Sequence, residues 1–448
     1  MPALSANTPT IVALSGGVDS AVAALLLRDA GHDVQCLHMT NWEDDGYCDA
    51  AREFHDARRV CQLLGVPLHR VNFAREYREH VFVHFLAEHR AGRTPNPDVL
   101  CNREIKFGVM ARYARRLGAA RIATGHYARL AASDATATSK AALGAGATAG
   151  VVPRLLKARD ASKDQSYFLA AVDAADFTDV LFPLGDLLKP EVREIARRAG
   201  LPVAEKKDST GICFIGERPF AEFLAQYLAP TPGKIVDERG RELGRHEGLA
   251  YFTLGQRHGL HIGGVARGAE APWYVARKDA ERNELVVVQG QDHPLLFDDW
   301  LAASGVHWIG APPHAASTGT SPGAHPSATT TASAGAIASK SFRCAAKIRY
   351  RQPDQACTVT ITGERELEVS FDHPQRTPTP GQHVVFYDGD RCLGGGVIER
   401  AGRRGAASAA VTAVAGTFAS PTVRMASDNA ATAASDATAI ATALRATG

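Results

Sequence analysis

The chain predicts a doubly wound α/β domain built on a parallel sheet, followed by two small β-rich domains, the last an antiparallel β-barrel. Three observations predict it. Short β-branched runs alternate with longer helical periodicities from Thr10 to about Arg129, the pattern of a parallel sheet with crossover helices. After about Phe223 the chain changes to short strands separated by Gly and Pro. Near the end, Val384 to Tyr387 and Arg391 to Ile398 flank Asp388-Gly389, a hairpin signal.

In order, strands are expected at Thr10 to Leu14, Val34 to Met39, Leu68 to Asn72 and Arg121 to Thr124. Helices fall between them at Ser20 to Ala30, Ala50 to Leu64, Arg75 to Arg90 and Pro97 to Leu117, with Gly31 and Gly65 where C′ glycines belong. Regular structure resumes at Arg154 to Ala158 and continues through a helix near Pro190 to Ala199 to the apolar run Ile212 to Ile215. Short strands follow at Trp273 to Ala276 and Leu285 to Val288. Three stretches, about 131–150, 311–340 and 401–448, are Ala-, Ser-, Thr- and Gly-rich and too poor in large apolar residues to pack. The expected domains are 1–222, 223–295 and 296–400, with 401–448 a disordered Ala-rich tail.

Lys plus Arg number 50 and Asp plus Glu 48, a net charge of +2 over 448 residues, so nothing resembles a basic wrapper for a polyanion and any nucleic-acid contact must be local. Eight cysteines are scattered with no CxxC pair, which excludes a secreted disulfide framework and gives no zinc ribbon or iron–sulfur site. Met1-Pro2-Ala3-Leu4 opens no basic-then-apolar leader, and no run approaches the ~18 apolar residues of a membrane span. The expected location is cytoplasmic and reducing, with no membrane partner.

Ser15-Gly16-Gly17-Val18-Asp19-Ser20 stands between a buried strand and a helix start, where unpaired N–H groups and the helix dipole favour an anion. It lacks the Gly-Lys-Ser/Thr ending of a Walker A loop. Asp19 beside phosphates makes sense as a hard oxygen ligand for Mg²⁺ on released pyrophosphate. The competing reading is a plain strand-to-helix turn capped by Ser.

Thr94-Pro95-Asn96-Pro97-Asp98-Val99-Leu100-Cys101 reads as a loop delivering a helix, with Asn96 as N-cap and Pro97 at the first helical position. Cys101 near that helix start, with Arg103 and Lys106 close by, is placed to favour thiolate, and Asp98 to exchange a proton. A small apolar core residue is the alternative. Cys213, after the basic approach Lys206-Lys207-Asp208, reads equally as a reactive thiol or a buried strand residue. Cys36, Cys61, Cys344, Cys357 and Cys392 read as core.

Taken together these residues closely resemble the tRNA-specific 2-thiouridylase family, bacterial members of the PP-loop ATP pyrophosphatase superfamily with an adenine nucleotide alpha hydrolase-like fold. The resemblance covers about Thr10 to Arg129, Arg154 to Gly310 and Ser341 to Arg400. Its motifs include the loop Ser15 to Ser20, Thr94 to Asn102, Gly125-His126-Tyr127 and Lys163-Asp164-Gln165-Ser166-Tyr167. Asp208 to Glu217, Gly255-Gln256-Arg257 and Lys347 to Arg351 complete them. The three low-complexity stretches are departures that touch boundaries, and no catalytic motif is missing.

The resemblance implies that Ala13, Leu14, Ser15, Gly16, Gly17, Val18, Asp19 and Ser20 bind ATP, with Met39 and Gly125 lining the adenosine pocket. It implies that Asn96, Pro97 and Asp98 contact the target base, and that Lys163, Asp164, Gln165, Arg349 and Tyr350 contact tRNA. Cys101 would be the nucleophile and Cys213 the persulfide carrier, passing through a transient disulfide between them. The implied reaction adenylates the C2 oxygen of the wobble uridine and replaces it by sulfur, which needs ATP, Mg²⁺ and a sulfur-donor protein, either a cysteine desulfurase or a sulfur-relay carrier. A strand placing Lys347, Arg349 and Arg351 on one face would add a basic row for phosphates, or form a charged edge strand. The rival readings are another ATP pyrophosphatase that adenylates a carbonyl for amination, weakened because Pro2 stands where a glutaminase partner domain would have cysteine, and a non-catalytic RNA-binding module.

Overall fold

The computed structural model describes residues 8–42, 49–132, 152–208, 219–262, 271–310 and 340–404. Cys213 and the apolar run around it, most of the first low-complexity stretch, residues 311–339 and everything after Arg404 lie outside the described residues.

The N-terminal part forms β1 (Pro9–Ala13), β2 (Asp33–Thr40), β3 (Leu68–Asn72), β4 (Arg121–Thr124), β5 (Arg129–Ala131), β6 (Arg154–Leu156) and β7 (Val180–Leu181). Five of them make a parallel sheet in the order β3-β2-β1-β4-β7, so the winding reverses beside β1, as the alternating pattern predicts. Alternation along β1 sends Ile11 into the core on one face and Val12 into the core on the other, which explains why a sheet covered on both sides reads as a continuous apolar run. The helix Val18–Asp29 lies close on one face through Ala21, Ala23 and Ala24, all fully buried. Gly31 and Gly65 take φ of +85° and +68° after their helices, as expected of C′ positions.

Two expected helices are less regular than their periodicity suggests. The stretch 74–90 runs as Ala74–Tyr77, a π-helical Arg78–Phe82 and Val83–Arg90, and the stretch 97–116 as Pro97–Leu100, a π-helical Cys101–Met110 and Ala111–Arg116. A π segment widens the backbone by shifting hydrogen bonds to i→i+5, and such segments recur at functional sites.

The central part carries a four-stranded mixed sheet of Gly233–Val236, Glu242–His246, Trp273–Asp279 and Glu284–Gln289. Beyond it, Phe297–Trp308, Ser341–Lys347, Gln355–Gly363, Glu366–Arg376, His383–Asp388 and Arg391–Gly402 form an antiparallel barrel, closed by pairing of the first of these strands with the last. The hairpin β5–β6 extends the barrel sheet, Leu156 pairing with Arg391. The last strand reaches Gly402, two residues into the stretch the composition assigns to a tail.

The basic row is corrected. The strand ends at Lys347, and the chain then turns through Arg351 at φ +65°. Lys347 is buried, with its ammonium 3.6 Å from Asp164 and 3.8 Å from Asp354, so Lys347, Arg349 and Arg351 do not share a strand face.

Candidate active site

The loop after β1 and the loop after β4 meet at the carboxyl ends of their strands, beside the reversal of strand order where open α/β sheets bind ligands. Gly17 is the N-cap of Val18–Asp29 and contributes no side-chain cap, so the sheer Ser-capped turn is not what forms. Ser20 instead turns back, its Oγ accepting from Ser15 N at 3.2 Å and donating to Gly17 O at 3.2 Å. Two glycines are forced by close approach. Gly16 has φ +80°, and a Cβ there would lie 2.4 Å from Glu53 O. A Cβ on Gly125 would lie 2.7 Å from Ser20 N and 2.9 Å from Asp19 C. Met39 is half-buried near the end of β2, so Met39 and Gly125 flank the loop from the two neighbouring strands.

Asp19 leaves the first helical turn and is met by Lys189 Nζ at 2.7 and 2.8 Å and by the Tyr127 hydroxyl, which donates at 2.8 Å. Lys189 also reaches Asp208 at 2.8 Å, and Asp208 is shared with Lys163 at 2.7 Å and Arg193 at 2.9 Å. Burial alone would push the Asp208 carboxyl up; the bonds and charges of Lys163 and Lys189 outweigh it and hold it down at about 2. Burial, then the Asp19 charge, pushes the Tyr127 phenol up, keeping it a donor. Lys206 donates to Gly16 O at 3.1 Å and pairs with Asp56 at 2.8 Å. Lys189, Tyr127 and Asp208 had no assigned role in the sequence reading: Tyr127 and Asp208 stood inside quoted motifs, and Lys189 looks locally like a solvated first residue of an amphipathic helix.

Asn96 caps the second site element as expected, its side chain accepting from Asp98 N at 3.2 Å, with Pro97 next. Cys101 opens the π segment, four residues after Pro97, and is 2% exposed within the core cluster on the β1–β2 face. Arg103 is spent on Glu104 at 2.7 Å. Lys106 Nζ lies 3.4 Å from His126 Nε2, and Thr124 Oγ1 lies 2.7 Å from His126 Nδ1. Burial, reinforced by the Lys106 charge, holds His126 well below its ordinary value, so the ring is neutral, accepts from Lys106 and donates to Thr124. Burial pushes the Asp98 carboxyl up while Lys106 pulls it down. The Cys101 helix thus reaches the phosphate loop through Lys106, His126 and Gly125.

The segment ahead of Asn96 is fastened by both downstream parts. Thr94 N donates to Pro380 O at 2.9 Å, and Gln382 Nε2 donates to Thr94 O at 2.7 Å and Pro95 O at 3.3 Å. Arg93 bonds Glu88 at 2.7 Å and Glu399 of the barrel, and Lys278 of the central sheet donates to Gly92 O at 3.0 Å.

The residues read as tRNA contacts are engaged within the protein. Asp164 is buried and accepts from Ala158 N, Ser166 N and Ser166 Oγ at 2.9 to 3.2 Å. Gln165 exchanges bonds of 2.8 and 2.9 Å with the Tyr127 backbone. Tyr350 packs on Phe168, ring centroids 4.6 Å apart, and Arg349 bonds Thr377. Asp164 in particular holds the phosphate-loop side of the fold to the barrel, which its place in a motif does not reveal. Of the remaining cysteines, Cys36, Cys61, Cys357 and Cys392 are buried and Cys344 is half-buried, its sulfur 3.7 Å from that of Cys357.

Residues 8–217 match the family described as tRNA methyl transferase HUP domain, 221–289 the tRNA methyl transferase PRC-barrel domain and 325–398 the aminomethyltransferase beta-barrel domain. The tRNA-specific 2-thiouridylase MnmA of Alcanivorax borkumensis is 52% identical over 396 residues, covering 88% of this chain and 98% of the relative. Those of Hahella chejuensis and Francisella philomiragia are 51% and 47% identical over 396 and 395 residues, covering 88% of this chain and 98% and 99% of each relative.

Proposed function

Because the chain belongs to the tRNA-specific 2-thiouridylase family, we propose that its site converts the wobble uridine of tRNA to 2-thiouridine by adenylating O2 with ATP and then transferring sulfur from a cysteine persulfide. The enzyme is a tRNA-uridine 2-sulfurtransferase. One observation carries the mechanism: a helix N-terminus without a side-chain cap lies beside the helix that bears Asp98 and Cys101, joined to it through His126.

Uracil O2 is a poor leaving group. Its attack on the α-phosphorus forms an O2–P bond and expels pyrophosphate, for which the loop from Ala13 to Ser20 supplies N–H donors. Asn96, Pro97 and Asp98 hold the base, and the Asp98 carboxyl, with its pKa raised by burial, exchanges the proton at N3. Either the terminal sulfur of a Cys213 persulfide attacks C2 and expels AMP, after which Cys101 attacks the Cys213 sulfur and frees the thiolated base, or Cys101 attacks the Cys213 sulfur first and the hydrosulfide so released attacks C2 and expels AMP. Both routes leave a Cys101–Cys213 disulfide that an external thiol reduces. Asp19, an oxygen donor of the kind Mg²⁺ takes whose two oxygens lie on Lys189, would hold the ion, and the ion would supply neutralising charge to the leaving pyrophosphate. A sulfur-donor protein loads Cys213, and tRNA lies along the Lys163–Gln165 and Arg349–Tyr350 regions, whose internal bonds then open. No helix among the described residues is long and apolar enough to cross a membrane; a cytoplasmic site of action follows from the tRNA substrate.

Two of the matched families are described by methyl transfer, but a phosphate loop has no task in that reaction. Nucleoside analysis of tRNA incubated with the enzyme, ATP, Mg²⁺ and both a sulfur source and a methyl donor decides between them: 2-thiouridine with AMP and pyrophosphate in equal amounts is expected, and a methylated base, or pyrophosphate without thiolation, would overturn the reading.

A further inference from the structure

Arg376 ends the strand Glu366–Arg376 at the seam between the barrel and the central sheet. Its guanidinium lies over the ring of Tyr274, a central-sheet residue, with Cζ 4.9 Å from the centroid. Its Nε and Nη2 are buried and make no hydrogen bond, and among the described residues no carboxylate pairs with it. A second guanidinium stands next to it. Arg349 Nη2 is held by Thr377 Oγ1 at 2.6 Å, Thr377 O at 3.1 Å and Leu254 O at 3.3 Å, an anchorage made of carbonyls and a hydroxyl that leaves its charge unmatched. Burial, then the charge of Arg376, pulls the Arg349 pKa down, as two cations brought together should. The seam is tight: a Cβ on Gly255 would lie 2.7 Å from Thr377 Oγ1 and 3.5 Å from Arg349 Nη2.

Leaving charged donors buried and unbonded is costly, and a cation–π contact with Tyr274 offsets only part of that cost. Two planar donor forks without a counter-ion match the oxygens of a phosphate. We infer that Arg376, beside Arg349, takes one backbone phosphate of the substrate RNA at the seam, so that tRNA itself supplies the missing counter-charge and draws the central sheet and barrel together. This rests on the reading that tRNA is the substrate and adds Arg376 to the surface that grips it.

The test is tRNA binding by the full chain across a salt series, with Arg376→Gln, Arg376→Lys and Tyr274→Leu. A lost phosphate contact weakens tRNA binding about tenfold in Arg376→Gln and reduces the slope of log Kd against log salt by roughly 1, with Arg376→Lys retaining the slope. Tyr274→Leu separates this from a packing role: it keeps the wild-type slope if Arg376 binds phosphate, whereas equal losses in Tyr274→Leu and Arg376→Gln mean that Arg376 is only a strut and overturn the inference. Wild-type affinity and slope in folded Arg376→Gln overturn it as well. Inorganic phosphate identifies the other source of the same chemistry: a phosphate-dependent rise in Tm lost in Arg376→Gln, with tRNA binding unchanged, assigns the seam to a free anion and refutes the RNA contact. If the wild-type chain does not bind tRNA, the functional reading fails and this inference with it; failure confined to the variants leaves that reading intact.

Discussion

Lys189 holds both carboxylate oxygens of Asp19, at 2.7 and 2.8 Å, and reaches Asp208 at 2.8 Å with the same ammonium. The phosphate loop is therefore kept from presenting a bare carboxylate to an incoming nucleotide. Lys189→Met should raise KM for ATP and slow pyrophosphate release at least about tenfold, because Asp19 then faces the phosphates with the Tyr127 hydroxyl but no cation beside it, while Asp208 keeps Lys163 and Arg193. Adding Asp19→Asn should recover thermal stability but not turnover. Pyrophosphate release at the wild-type rate in Lys189→Met would end this role.

Gly125 abuts backbone rather than side chain, so its neighbours cannot swing aside. In Gly125→Ala the new methyl meets Ser20 N at 2.7 Å and Asp19 C at 2.9 Å, which must push the helix start away from β4. ATP-dependent thiolation is expected to fall at least about tenfold, the loss typical when reacting groups are displaced by a fraction of an ångström. Gly244→Ala is the matched control, since a Cβ there meets nothing within 4 Å. Comparable kcat/KM in the two variants would refute the argument.

What was legible in the sequence follows from how local each cause is. The strands β1 to β4 announced themselves because burial on both faces demands unbroken apolar runs, and the Asn96-Pro97 start did so because capping chemistry is contained within three residues. The π segment from Cys101 to Met110 has no local mark that separates i→i+5 from i→i+4 bonding. The internal bonds of Lys189 and Asp164 are invisible locally because the partners that bury them, Asp19 and Lys347, are distant along the chain. The alternation Lys347, Arg349, Arg351 looked like a strand face, yet the positive φ of Arg351 breaks the extended run that alternation presumes.

Asp298 gives a pH signature. Burial pushes its carboxyl up to about 6, with Arg403 pulling down and Asp299 pushing up. A carboxyl whose folded pKa lies above its unfolded value binds its proton more tightly when folded, so the fold loses stability as pH rises from about 4 through about 6. Asp298→Asn should raise Tm at pH 7.5, by about 2 °C or more, and leave it unchanged near pH 4. An equal shift at both pH values would show that the carboxyl is not the cause.

The two sulfur roles separate by loading and delivery. Cys213→Ser should accept no sulfane sulfur from a donor protein, whereas Cys101→Ser should accept it and fail to form 2-thiouridine, because only the second step needs the nucleophile. Mass spectrometry of each variant after loading, followed by addition of tRNA and ATP, reads both steps. Equal loading in the two variants contradicts the assignment.

Arg93 links the segment ahead of Asn96 to the barrel: it bonds Glu88 at 2.7 Å and Glu399, which also accepts from Ser304 Oγ, and it immediately precedes Thr94 and Pro95, which Pro380 and Gln382 fasten. Since Asn96 and Asp98 are three and five residues away along the chain, loosening Arg93 should shift the base relative to the α-phosphate without touching Cys213. Arg93→Ala is expected to slow single-turnover sulfur transfer about tenfold while leaving persulfide loading intact, and Arg93→Lys to recover only part of the rate, because an ammonium lacks the planar fork that places both terminal nitrogens of Arg93 on the two Glu399 oxygens. Glu399→Gln should produce a similar loss, and the double variant Arg93→Ala/Glu399→Gln should be no slower than either single one, as for two residues acting through one interaction. Independent, multiplying losses would mean that the barrel does not position the segment through this pair.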